Sequence, residues 1–156
     1  MNIRQATMED SFLLSSLTRE VQSLHAQNHA KIFKMPETDD FAVSFFNEML
    51  ADPAVHIFIA EDDGNAMGNI ICKVVERLDN PFTFAAKILH VDQISVRPEM
   101  QGRGFGAALL RQAELLAGEL KAERIVLDSW DFNLGAHAFF ERMGFQKFNF
   151  RFWKHL

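Results

Sequence analysis

The stretch Ile94-Ser95-Val96-Arg97-Pro98-Glu99-Met100-Gln101-Gly102-Arg103-Gly104-Phe105-Gly106 decides how this chain is read, because it joins an extended segment to a helix through a loop rich in glycine. Pro98 ends the extended segment 85–96, since proline cannot donate within a sheet. Beyond the loop, Leu109, Leu110, Ala113, Leu116, Ala117 and Leu120 recur at helical spacing and predict an amphipathic helix. Residues 125–130 read as the next strand, so the two strands should run parallel with a right-handed crossover. Glycines at such a junction expose backbone N–H groups at the positive end of the helix dipole, where a pyrophosphate is held without cationic side chains. Gly104 and Gly106 would let the main chain approach an anion closely, and Arg103 would add a charge-assisted contact. A plain turn is the simpler reading, but three glycines cost chain entropy that a plain turn does not need. The letters Gly102-x-Gly104-x-x-Ala107, with Asp128 ending the next strand, also satisfy a dinucleotide fingerprint. Against it, residues 97–101 separate the strand from the first glycine, and too little chain follows to finish a doubly wound sheet.

Working outward, residues 1–4 read as a short strand, and Thr7 with Asp10 three residues on opens a helix bearing Leu14, Leu17, Val21 and Leu24. That pattern fades at 25–29, and a loop runs through Pro36. Residues 38–40 should cap a second helix with Phe41, Phe45 and Met49, ending before Asp52-Pro53. A hairpin follows, with arms 56–61 and 67–75 around Asp62-Asp63-Gly64-Asn65. Asn133 caps a last helix that stops at Gly144, and 145–153 alternates as a closing strand. One face of that strand belongs to the core; the other is free to join a second copy in a homodimer, and a monomer fits equally well. The expected architecture is α/β: one domain over 1–156, a mixed, mostly antiparallel sheet with helices on both faces.

Composition narrows the partners. The 156 residues, 48% hydrophobic, suit one domain with a real core, and no apolar run approaches the roughly 20 residues that span a bilayer. The lone Cys72 cannot form an internal disulfide and reads as a small core residue, and no His or Cys grouping has metal-ligand spacing. Together these point to a cytoplasmic chain without a membrane partner or a metal. Sixteen Lys and Arg against 21 Asp and Glu disfavour nucleic acid and mildly favour cationic small molecules. The chain has no tyrosine beside sixteen phenylalanines, which excludes a phenolic proton donor.

With the segment Asn133-x-x-Ala136-x-x-Phe139-Phe140-x-Arg142-x-Gly144-Phe145 added to the glycine loop, the chain resembles the GNAT superfamily of acyl-coenzyme A dependent N-acetyltransferases in element order along its whole length. The resemblance implies that its two central parallel strands splay apart. It implies that main-chain groups from Gln101 to Gly106, with Ala107, hold the pyrophosphate of acetyl-coenzyme A. The pantetheine arm would then pair like an extra strand with the backbone near Ile94, Ser95 and Val96. Asn133, Ala136, Phe140 and Arg142 would by analogy line the coenzyme, although a helix cap and a solvated charge describe Asn133 and Arg142 equally well.

Transfer of acetyl from a thioester needs a neutral amine, and an alkylamine is only about one part in two thousand neutral at pH 7. Asp92, two residues before Ile94 and expected on the same side, is the first candidate base, acting directly or through water; His90 is the second. A backbone N–H near Ile94 would stabilise the oxyanion. The family often places a tyrosine acid where this chain has Phe140, and His137 one turn earlier is a substitute donor. His25, His29 and Glu37 belong to the acceptor side or to solvated surface. Two readings remain: an acetyltransferase acting on a small-molecule or peptide amine, and a non-catalytic acyl-coenzyme A binding module.

Overall fold

Among the described residues, 1–154 and 156 of the computed structural model, five strands form one sheet in the order β1 (Asn2–Gln5), β2 (Val55–Asp62), β3 (Asn65–Arg77), β4 (Ala86–Val96), β5 (Arg124–Leu127). The first four pair antiparallel and β5 lies parallel to β4, so the sheet is mixed and mostly antiparallel. The hairpin between β2 and β3 turns on Asp63 and Gly64, both at positive φ, the geometry that suits the strand twist.

Helices cover both faces: α1 (Ser11–Asn28) and α2 (Val43–Ala51) on one, α3 (Phe105–Glu119) and α4 (Leu134–Arg142) on the other. Leu14 and Phe46 pack on Ile57, Ile59 and Ile71 on the first face. On the second, Leu109, Leu110 and Ala113 pack on Leu89 and Val91. Full burial of a leucine such as Leu109 stabilises by about 1.5–3 kcal/mol. No helix among the described residues is long and apolar enough to cross a membrane.

The start of the first helix behaves as its sequence predicts. The Thr7 N–H donates to Asp10 Oδ2 at 2.8 Å, and a 3-10 turn at Met8–Asp10 leads into α1. Arg4 Nη1 and Nη2 grip the same carboxylate at 2.8 and 2.7 Å while its Nε donates to Glu61, which ties β1 to the helix. The Arg4 guanidinium, with help from Thr7, holds the Asp10 carboxyl down at about 2. Because the folded value lies below the unfolded one of about 3.9, this stabilisation is complete above about pH 4 and is lost as the pH falls through about 2. Asp10→Asn is expected to cost about 2 kcal/mol at pH 7 and to flatten the acid limb between pH 4 and 2, as read by urea unfolding at a series of pH values.

Four expectations change. Leu24 is exposed and Val21 only half-buried, while Ala26 in the last turn of α1 is buried, so the apolar face is carried by Leu14, Leu17 and Ala26. The second helix begins at Val43, not at 38–40; this places Phe46 on the sheet and leaves Phe41 and Phe45 exposed. β5 stops at Leu127 rather than 130, since β4 and β5 pair only over Ile88–Val91 and then diverge. The segment 145–153 forms no strand, and Phe148, Phe150 and Phe152 stay exposed. A four-residue edge offers too few ladder bonds to offset the roughly 1–2 kcal/mol per residue needed to fix that segment.

Candidate functional site

The divergence of β4 and β5 creates the site. Past Val91, β4 keeps β3 on one side and, among the described residues, has no strand on the other. The Arg97 N–H donates to Met67 O across the ladder, so by the two-residue alternation Ser95 also faces β3, while Ile94 and Val96 turn their backbone groups to the open side. Gln101 Nε2, donating to Val96 O at 3.2 Å, lies on that open side.

An extra residue changes what this strand presents. Val91 pairs with Cys72 and Gln93 with Ile71, so Asp92 has no partner and forms a bulge. Ile94 and Val96 pack against the α3 side, as do Leu89 and Val91 before the bulge. Gln93 and Ser95 point the other way: Gln93 Nε2 donates to Thr18 Oγ1 at 2.8 Å, and Ser95 Oγ to Asn69 Oδ1 at 2.6 Å. Asp92 shares the face of His90, the sheet face that α1 covers, and not that of the Ile94 side chain; the expected common side with Ile94 is corrected.

His90 stands between two carboxylates. Its Nδ1 lies 2.7 Å from Asp92 Oδ1 and its Nε2 3.1 Å from Asp128 Oδ2. A carboxylate oxygen only accepts, so in either contact the bond is donated by a ring N–H of His90. Asp92 Oδ2 accepts no hydrogen bond among the described residues, and the side chain is 39% exposed, open to an incoming proton. Cys72, paired with Val91 in the ladder, is fully buried; burial and then the Asp92 charge push its thiol up to about 12, so it is inert core.

The glycine loop lies exposed beside the open edge. Gly102 and Gly104 hold φ of +75° and +92°, Gly104 capping α3. Gln101 N–H donates to Pro98 O, whereas the amide hydrogens of 102–107 find no acceptor among the described residues. A Cβ on Gly102 would meet nothing within 4 Å. Unfilled donors around open space fit a diphosphate. Phe105 is buried and anchors the loop to the core, and the Arg103 side chain is exposed over it. Gly106 plays another part than expected: its Cβ would come 3.1 Å from Phe139 Cζ, so it makes room for α4 rather than for an anion.

Other expected site residues are engaged elsewhere. The buried Ser95 spends its hydroxyl on Asn69 and its backbone on β3, and so does not face the edge. Asn133 Oδ1 accepts the Ala136 N–H at 3.2 Å as a helix cap, and Ala136 packs on the α3-side core. Phe140 is buried among core residues beside Phe139 and Phe145; Arg142 is exposed. His137 Nε2 donates to Trp130 O at 2.9 Å, which occupies the proposed substitute acid. Glu37 is exposed.

His25 and His29 join a group the sequence reading missed. Their rings meet Phe33, Trp130 and Phe132, with His25 to Phe33 and His29 to Trp130 both at 4.9 Å between centroids. Burial, then the neighbouring His29, holds the His25 imidazole below its usual range. A signal existed: Trp130 and Phe132 stand just past the carboxyl end of a parallel strand, where α/β sheets open their ligand crevice.

A family model described as the acetyltransferase (GNAT) family matches residues 19–145. A protein of Bacillus subtilis (strain 168), described as a candidate ribosomal protein bS18-alanine N-acetyltransferase, is 29% identical over 117 residues, covering 75% of this chain and 69% of that one. A tetramutant of the BH1408 protein from Bacillus halodurans has the same fold, with a TM-score of 0.94 at 20% identity over all of both chains. The aminoglycoside acetyltransferase AAC(6')-Iy, solved with a bisubstrate analogue, gives a TM-score of 0.77 at 17% identity over 99% of this chain and 97% of that one.

Proposed function

The chain belongs to the acetyltransferase (GNAT) family, and from that premise we propose that it moves acetyl directly to a primary amine of a small molecule or peptide within a ternary complex, with Asp92 as base. It is an acetyl-coenzyme A dependent acyltransferase. The observation that carries the reading is the open β4 edge at Ile94 and Val96, flanked on one side by the unfilled amides of 102–107 and on the other by the free oxygen of Asp92. The loop residues Gly102 to Phe105 would hold the diphosphate of the coenzyme, whose thioester supplies the acetyl group.

Each step then falls to a group in place. Asp92 Oδ2 takes a proton from the ammonium, directly or through one water, while His90 fixes the other oxygen. The amine nitrogen bonds to the thioester carbon, and the outward N–H of Ile94 steadies the charge on the acetyl oxygen. The carbon–sulfur bond breaks, the new amide nitrogen sheds its second proton to solvent, and the thiolate takes one proton from solvent, because Phe140 has none to give and His137 is bound to Trp130. A thiol pKa near 8.5 makes such a leaving group tolerable without a dedicated acid, at about one or two orders of magnitude in rate.

The test follows free thiol release over a panel of amines. Turnover with some amine is expected, and Asp92→Asn should lower kcat by about 10²-fold or more with little change in KM for acetyl-coenzyme A. Absence of turnover with every amine would overturn the reading, and an Asp92→Asn enzyme of native kcat would remove Asp92 from the chemistry.

A further inference from the structure

We propose that the acceptor is an organic cation with at least two amino groups, and that the aromatic wall of His25, His29, Phe33, Trp130 and Phe132 holds the ammonium that is not acetylated. The inference rests on the transferase reading above and narrows its acceptor. All five side chains are half-buried, so the wall is neither sealed core nor free surface. It is built from the last turns of α1, the loop after it and the loop between β5 and α4, on the same sheet face as His90 and Asp92. Phe33 and Trp130 meet edge-on at 5.0 Å, and His29 lies 5.5 Å from Phe132 and 6.2 Å from Trp153.

The wall and the base are physically joined. Asp128, bonded to His90, is two residues before Trp130, so at most about 7 Å of extended chain separates the base cluster from the wall. Carboxylates stand along the rim: Asp131 lies 3.7 Å from His29 Nε2, and Asp128 and Asp131 are both about nine-tenths exposed. Each is paired with a histidine, Asp131 with His29 and Asp128 with His90, and among the described residues neither has an ion pair with Lys or Arg. Ring faces attract ammonium groups through their quadrupole, and flanking carboxylates add to that attraction. An anionic acceptor would face Asp92, Asp128 and Asp131 together and is disfavoured by the same charges. Held neutral by its surroundings, His25 adds a ring without adding a competing cation.

The chemistry leaves a second charge available as a handle. The reacting amine must give up its proton to be acetylated, so its own cation is absent when attack occurs. A second ammonium keeps its charge throughout and serves as the handle that orients the first.

The experiment compares 1,5-diaminopentane with pentylamine and benzylamine as acceptors, at low and moderate salt. The diamine is expected to exceed both in kcat/KM by about tenfold, with the advantage shrinking as salt rises. Trp130→Leu should erase most of that ratio by raising KM for the diamine, Trp130→Phe should keep most of it, and Asp131→Asn should lower it severalfold while leaving Phe33, Trp130 and Phe132 in place. Equal rates for pentylamine and the diamine would overturn the cation site while leaving acetyl transfer intact. A preference for benzylamine would also overturn it, making the wall a stacking platform. Quenching of tryptophan fluorescence by 1,5-diaminopentane in the native protein but not in Trp130→Phe, with no acetyl transfer, would uphold the cation site and sink the transferase reading instead.

Discussion

Replacing Gly104 with glutamate is expected to raise the dissociation constant for acetyl-coenzyme A by at least about 100-fold, as measured by titration calorimetry. Space is not the cause, since among the described residues a Cβ there would meet Met1 Cε alone, at 4.0 Å. Two other effects combine. The residue holds φ of +92°, where a side chain costs roughly 1–2 kcal/mol, and a carboxylate would stand among the amides of 102–107 at the positive end of α3. Gly104→Asn separates the two, because asparagine tolerates this backbone and carries no charge. It should keep most of the binding and lose only a little stability. If the glutamate variant bound acetyl-coenzyme A as tightly as the native chain, the loop would have no part in holding it.

Gly68→Ala is expected to be the most damaging single methyl in the molecule, at about 3 kcal/mol or more and roughly 10 °C in Tm. A Cβ at Gly68 would lie 2.3 Å from Ser95 O and 3.0 Å from Val96 Cα, and both neighbours are backbone that cannot rotate away. Relief requires β3 and β4 to separate where the Arg97 N–H reaches Met67 O. The same shift would displace Ile94 and Val96 at the open edge, so activity should fall even below the melting temperature. Gly118→Ala, with open space around its Cβ in the middle of α3's last turns, is the control and should be neutral or slightly stabilising. Equal thermal stability of Gly68→Ala and the native protein, read by calorimetry, would refute the close-approach account.

Local signals were legible and remote ones were not. Pro98, the glycine loop and the leucine stripe of α3 could be read because backbone entropy and helical period act within a few residues. The Thr7 and Asp10 pair, the Asp63-Gly64 turn and the Asn133 cap are equally local. Phe46, rather than Phe45, faces the sheet because the helix starts where Ala42 N–H meets Ser15 Oγ, 27 residues away in sequence. Gly106 serves Phe139, and Ser95 serves Asn69, through contacts that no spacing rule encodes. The aromatic wall draws on segments about a hundred residues apart, and only the position of Trp130 after β5 hinted at it. The alternation in 145–153 is a true period without a long enough edge to receive it.

The unpaired residue in β4 puts its two halves out of step. Upstream of Asp92 the odd-numbered side chains, Leu89 and Val91, feed the α3 core; downstream the even-numbered ones, Ile94 and Val96, do so. A regular ribbon would commit every second position to one partner along its whole length. On the proposed reading, a single inserted amino acid would let one strand serve two masters, a donor gripped edge-on and an acceptor met face-on, so that mutation could retune the acceptor's lodging while the donor's berth stays as it is.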